Sequence, residues 1–299
     1  MRRHLHGIDH CCVLTEDLER SRAVYTRLGF TVSPVGRHPA EMGTGNHTVM
    51  LQRDYIELLG VLRPTDFNRD VCGVLAARGE GIAAIAVPTT DAAAAVAEVR
   101  AGGLVATEPH EVVRPVTQAN GSDVVARFTV AYFPQVAASY ARLFCSQAHD
   151  PGHTWIPALM AHANTAWAID YLVVVTDDPS LLAREVAELF DTDPLAVGEG
   201  TVAVVTGAAP IIYATPVAVA ARYPGVDLSR LAPFGPAALS IKVRDVCVAA
   251  DCLRRSGVDF VTTPNGLAVR PQDACGVLLV LREAGTDEPA DAALVDLGR

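Results

Sequence analysis

The stretch Gly7–Asp17, GIDHCCVLTED, decides how this chain is read, because it comes back three more times. GIAAIAVPTTD begins at Gly81, AIDYLVVVTDD at Ala168 and GPAALSIKVRD at Gly235. Each copy opens on a small residue, runs through a stretch rich in Val, Ile, Leu and Ala, and reaches an aspartate ten positions after its start: Asp17, Asp91, Asp178 and Asp245. A short apolar run bounded in this way reads as a buried strand. Internal repetition at this scale sets the architecture before any single element is assigned.

A helical pattern follows each aspartate: LERSRAVYTRLGF, AAAAVAEVRAGGL, PSLLAREVAELF and VCVAADCLRRSGV. The aspartate is placed to cap the helix, accepting from free amides of its first turn. Gly29, Gly103 and Gly257 stand at one common offset, where a helix can end on a residue with positive φ. The third unit has Phe190 there. Strand-like pairs come next, such as TVMLQRDYIELLGVL around Arg53-Asp54 and GLAVRP with GVLLVLRE. Each unit therefore reads β-α-β-β-β, and four of them give an α+β protein with helices outside curved, antiparallel-rich sheets. The predicted organisation is an N-terminal domain over 1–150 (units at about 5–62 and 79–150), a connection over 151–166 and a second pair of units over 167–284. The acidic, small-residue-rich tail 285–299 is expected to be partly disordered.

Composition narrows the function. Half of the 299 residues are hydrophobic and 19% are charged, so the chain can build a large core. A net charge of −10 and scattered arginines argue against nucleic acid or an anionic membrane as partner. No apolar run approaches the ~18–20 residues of a membrane helix. Seven cysteines, mostly in apolar segments and without a CxxC, read as reduced, buried thiols of a cytoplasmic protein. Neither GxSxG, P-loop, HExxH nor Rossmann GxGxxG occurs.

Four βαβββ units, a strand-borne histidine in the first and YIELL closing that unit together resemble the vicinal oxygen chelate superfamily. It includes glyoxalase I, extradiol dioxygenases, fosfomycin-resistance proteins and bleomycin-type drug-binding proteins. The segment RHPAEMGTGNHTVMLQRDYIELL is similar to one found in the glyoxalase-like subgroup, and so is LFCSQAHDPGHTWIPALMAHANTA. Where that subgroup often reads HPNGA, this chain has Ala163 and Thr165. The resemblance implies two cupped sheets, each built from two paired units, and a divalent metal (Fe, Mn, Zn, Ni or Co) bound inside the cup. It places His10 as the first-strand ligand and Glu57 as the last-strand ligand. Either an enzyme of lyase, isomerase or dioxygenase type acting on a small oxygen-bearing metabolite, or a metal-free binding protein of the bleomycin-resistance kind, fits it. A monomer or homodimer is expected.

The residues support a site at His10 on their own terms. Ile8, His10, Cys12 and Leu14 share one face of a strand, as do Tyr55, Glu57 and Leu59. A histidine there is either a satisfied core residue or a ligand. The sister copies carry Ala84, Tyr171 and Ala238 in its place, so the strand does not need it. Glu57, between Ile56 and Leu58, needs a partner once buried: an arginine, a substrate or a metal. The third metal ligand is expected from FCSQAHD in unit two, with His149 preferred to Gln147. His47, opening a strand after a glycine pair, is a candidate catalytic residue beside Glu57, or a rim residue. Arg37 and His38 are candidate contacts for an anionic substrate. Trp155 and His162 either wall a pocket or pack between the halves. Asn164 and Tyr171 are secondary candidates.

Overall fold

The four aspartates do cap four helices: Asp17 accepts from the Arg20 amide at 2.9 Å, Asp91 from Ala94 at 2.9 Å, Asp178 from Leu181 at 3.0 Å and Asp245 from Val248 at 3.0 Å. Each such cap contributes about 1 kcal/mol. Gly29, Gly103 and Gly257 follow three of the helices with φ of +91°, +84° and +64°. In the third unit the helix takes in Phe190, and Asp191 makes the left-handed turn at φ +52°.

The computed structural model describes residues 1–117, 121–136 and 141–285, so the predicted tail lies outside the described residues from 286 onward. Unit one comprises β1 (His10–Thr15), α1 (Leu18–Arg27), β2 (Gly36–Arg37), β3 (Thr44–Met50) and β4 (Tyr55–Val61). Helix α2 (Arg69–Arg78) leads to unit two: β5 (Gly81–Pro88), α3 (Ala92–Ala101), β6 (His110–Thr117), β7 (Asp123–Tyr132) and β8 (Arg142–Ala148). A short α4 (Pro151–Thr154) lies in the connection. Unit three follows with β9 (Ala166–Val175), α5 (Pro179–Phe190), β10 (Leu195–Gly198), β11 (Thr201–Val204) and β12 (Ile211–Ala214). Helix α6 (Pro216–Arg222) leads to unit four: β13 (Gly235–Val243), α7 (Val246–Arg255), β14 (Val261–Thr263), β15 (Gly266–Val269) and β16 (Leu278–Glu283).

Units one and two share an eight-stranded sheet of order β2-β3-β4-β1-β5-β8-β7-β6; units three and four repeat it as β10-β11-β12-β9-β13-β16-β15-β14. The first strands of paired units run antiparallel along the centre, and each lies parallel to the last strand of its own unit. In the first sheet the edge strands β2 and β6 approach one another, so the sheet curls nearly closed around its inner face. The alternation of β1 divides its side chains accordingly. Cys11 and Val13 enter a continuous apolar core that joins both sheets to their helices, while His10 and Cys12 face the cup.

The halves meet through backbone hydrogen bonds as well as core. Gln52 N–H donates to Trp167 O at 2.8 Å, and Asp54 Oδ1 accepts from the Ile169 amide at 2.8 Å. Thr165, standing where the related subgroup has glycine, adopts φ +61°, an uncommon conformation for a β-branched residue. The second cup is filled. Helix α6 and the residue after it drive Val219 and Tyr223 against Tyr171, Val173, Ile212 and Val280 of the sheet. Among the described residues no helix is long and apolar enough to cross a membrane.

Candidate metal and ligand site

The first cup converges on three side chains from neighbouring strands. Register places Cys12 opposite Glu57 across the parallel β1/β4 pair and His10 opposite Tyr55. The ligand-type atoms of His10, Cys12 and Glu57 all lie within 4.8 Å of one another. His10 Nδ1 is 2.6 Å from Asp9 Oδ2. An ionised carboxylate only accepts, so Nδ1 is the donor of this pair and Nε2 is the ring nitrogen left facing Glu57. Nε2 stands 3.8 Å from Glu57 Oε2. Stacking on Tyr55, with centroids 4.3 Å apart, and an edge contact with Phe144 at 5.5 Å fix the imidazole plane.

Glu57 is hydrogen-bonded at both oxygens. The Cys12 thiol donates to Oε2 at 2.9 Å and Asn46 Nδ2 donates to Oε1 at 2.5 Å. Burial pushes this carboxyl up, but the imidazoles of His10 and His38 and the two hydrogen bonds outweigh it and hold it below the usual range. Burial drives the Cys12 thiol well above its ordinary value, and the charge of Glu57 adds to the effect. His38 completes the polar floor: its Nδ1 is 2.8 Å from Thr44 Oγ1, and its Nε2 is 3.9 Å from Glu57 Oε1. Burial lowers His38, with Arg114 acting the same way and Glu57 opposing. The cavity measures about 170 Å³, and Leu59, Val112, Phe128, Val130, Tyr132 and Phe144 supply much of its apolar wall.

Several expected site residues lie elsewhere. Strand β8 turns Arg142, Phe144 and Ser146 into the cup. Gln147 is on the opposite phase, bonded to Ala92 N and Thr90 O, and His149 beyond the strand end is bonded through Nε2 to Thr129 Oγ1 at 2.7 Å. The expected third ligand His149 is therefore corrected: it does not reach His10 and Glu57, and Cys12, on the same strand as His10, is the side chain beside them. His47 faces away from the cup, with Nδ1 2.8 Å from Ser33 O and Nε2 3.9 Å from Glu19 of α1; its neighbour Asn46 is the one that enters. Arg37 is exposed on β2 and is not part of the cup lining. Trp155 stands edge-on behind Tyr55 at 6.3 Å, one ring removed from the cavity. His162 is structural, accepting from Thr31 N at 3.0 Å and donating to Met50 O at 2.9 Å. Asn164 is likewise structural, donating to Leu28 O and accepting from Ala166 N. Tyr171 lies in the filled second cup.

A family model described as a glyoxalase-like domain matches residues 8–190, more than half of the chain. The chain belongs to that family. The match makes this glyoxalase-like protein a vicinal oxygen chelate fold, in agreement with two solved structures. A hypothetical protein from Staphylococcus aureus aligns at a TM-score of 0.66 with 12% identity, covering 93% of this chain and 99% of the other. A mutant of 4-hydroxymandelate synthase from Streptomyces coelicolor aligns at 0.59 with 14% identity, covering 98% of each. No curated protein matches in sequence.

Asp9, Cys12, Asn46 and Arg114 were not singled out as site residues by sequence reasoning. Cys12 left a signal, since it shares the strand face of His10 two residues on.

Proposed function

We propose that this glyoxalase-like protein is a divalent-metal-dependent enzyme of lyase, isomerase or dioxygenase type, acting on a small oxygen-bearing molecule in the first cup. One observation carries the reading: His10, Cys12 and Glu57 bring nitrogen, sulfur and oxygen donors within 4.8 Å of one another on a cavity wall. The donor set fits a cation. The carboxyl is held in its ionised form, Nε2 of His10 makes no hydrogen bond among the described residues and faces Glu57, and Asp9 holds the imidazole as a second carboxylate behind a ligating histidine does. Three protein donors leave positions open, as catalytic metal sites require. Cys12, which would have to give up its proton to ligate, would add a sulfur donor that favours zinc, nickel, cobalt or ferrous iron over manganese.

When bound, such a cation supplies Lewis-acid polarisation of an oxygen on the occupant. The chain's own groups do the rest. Asn46 orients Glu57, the aromatic wall excludes water, and neutral His38 offers Nε2 as a proton acceptor beside the donor trio. Metal analysis of protein purified without a tag tests this. About one equivalent is expected in the wild type, with loss in His10→Ala, Cys12→Ala and Glu57→Ala. A protein that takes up none of zinc, nickel, cobalt or ferrous iron overturns it.

A second reading rests on the hydrogen bonds that already satisfy both oxygens of Glu57. In it the cup binds and sequesters a small molecule without metal, and the same measurement separates the two. In either reading the partner is a small molecule, the seven free thiols suit a cytoplasmic location, and the protein works as a monomer or homodimer.

A further inference from the structure

We propose that the cup takes a carboxylate-bearing molecule with an apolar body, and that Arg114 on β6 anchors the carboxylate. Arg114 shares the inward phase of β6 with Val112, and its guanidinium lies 5.8 Å from the centroid of the Phe128 ring. It is half-buried, and among the described residues it has neither a hydrogen-bond nor an ion-pair partner. A half-buried guanidinium with its five donors unspent is open to a partner, and a carboxylate meeting it through two parallel hydrogen bonds is the fitting complement.

The other charged groups on the wall are already engaged. Arg142 pairs with Asp70 of α2 at 3.1 Å, and both side chains are well exposed. Glu57 is already held by Cys12 and Asn46. The chain also keeps space for the arginine. A Cβ added at Gly36 on β2 would come within 2.4 Å of Asn46 Oδ1 and 3.2 Å of Arg114 Nη1. A side chain there would crowd the guanidinium where the two sheet edges approach. Arg114 also acts on His38, which itself stands 3.9 Å from Glu57, so anchor and donor trio belong to one cavity. The same cavity is lined by Leu59, Phe128, Val130 and Phe144, which suit an apolar or aromatic body rather than a sugar or a nucleotide.

The inference rests on the reading of the cup as a ligand site, and it holds with or without a metal. Calorimetric titration in the presence of a chelator keeps the two apart. The probes are 3-phenylpropionate and its neutral isostere 3-phenylpropionamide, at neutral pH. The acid is expected to bind roughly 10-fold or more tightly than the amide. Arg114→Gln should remove that preference while leaving amide binding as it was. Arg142→Gln should keep the preference, and circular dichroism confirms that each variant is folded. Equal binding of acid and amide overturns the proposal, as does a preference that survives in Arg114→Gln or disappears only in Arg142→Gln. Absence of saturable binding by the acid overturns it as well.

Discussion

The two sheets have one strand order and one set of caps, yet one holds a polar cup and the other is packed shut. At the positions of His10, Cys12 and Glu57 the second sheet carries Tyr171, Val173 and Ile212, with Val173 opposite Ile212 as Cys12 is opposite Glu57. Units two and four likewise hold small or apolar side chains there: Ala84, Ala86 and Phe144 in one, Ala238, Ser240 and Val280 in the other. The linking helices differ in the same sense. Helix α2 has no buried residue, whereas α6 contributes Val219 and the adjoining Tyr223 to the second cup. The scaffold thus folds without the polar trio, and an apolar filling is the less costly choice. A cavity survives where the linking helix contributes no buried side chain and polar groups satisfy one another.

The largest expected effect comes from undoing the packed cup. Tyr223 is fully buried, with its hydroxyl 3.3 Å from that of Tyr171. Tyr223→Ala should cost about 4 kcal/mol, the range of a large aromatic removed from a core that closes only partly. The contrasting change, Phe67→Ala on the lining of the open cup, removes a side chain that is 58% exposed, and should stay within about 0.5 kcal/mol. Urea denaturation of both variants checks this; equal losses would mean that the first cup is as tightly filled as the second.

A matched pair of aspartates sharpens the contrast. Asp9 and Asp170 occupy the same place in the repeat, GID against AID. Asp170 is fully buried, bonded to Arg282 at 2.6 and 2.8 Å and to Ser240 at 2.9 Å, with Lys242 at 3.8 Å. Asp170→Asn should cost about 3 kcal/mol, because it leaves two cations facing a neutral amide. Asp9→Asn should change stability little. At the proposed metal site it should instead weaken cation binding by roughly 10- to 100-fold, as loss of a carboxylate behind a ligating histidine does. Denaturation for the first and a chelator-competition titration for the second read these out; a metal affinity unchanged in Asp9→Asn shows that the carboxylate only closes a hydrogen bond.

The repeat made the fold legible, because cap, strand and helix-end residues recur at fixed offsets and each has a local physical reason. The site was legible only where alternation could be read. His10 stands out because three sister copies lack it, and Glu57 because a carboxylate between Ile56 and Leu58 is out of keeping with the run. Strand β3 is buried on both faces, so nothing in TGNHTVM told that Asn46 rather than His47 enters the cup. Strand β8 alternates Leu143 and Cys145 toward the core with Phe144 and Ser146 toward the cavity, and that near-uniform apolar pattern hid the phase that excludes His149. Arg114 sits in EVVRPV, where its cup-facing role depends on sheet curvature, which no local pattern encodes.

A pH-dependent effect tests the seam between the halves. Asp54 lies in the turn joining β3 to β4, and the corresponding TGAAP loop of the second sheet has no carboxylate. Burial pushes Asp54 up to about 8 from an ordinary 3.8, against the hydrogen bond from the Ile169 amide, which pulls it down. Between these values the folded protein keeps a proton that the unfolded chain has released. Its stabilising contribution is therefore complete below about pH 4 and is lost as pH rises through 8. Asp54→Asn retains an acceptor for Ile169 but has no proton to lose, so its urea midpoint should fall less steeply from pH 5 to pH 8 than that of the wild type. Parallel profiles would mean that the seam carboxyl ionises freely, and that the two sheets are joined there by a solvated contact instead of a buried one.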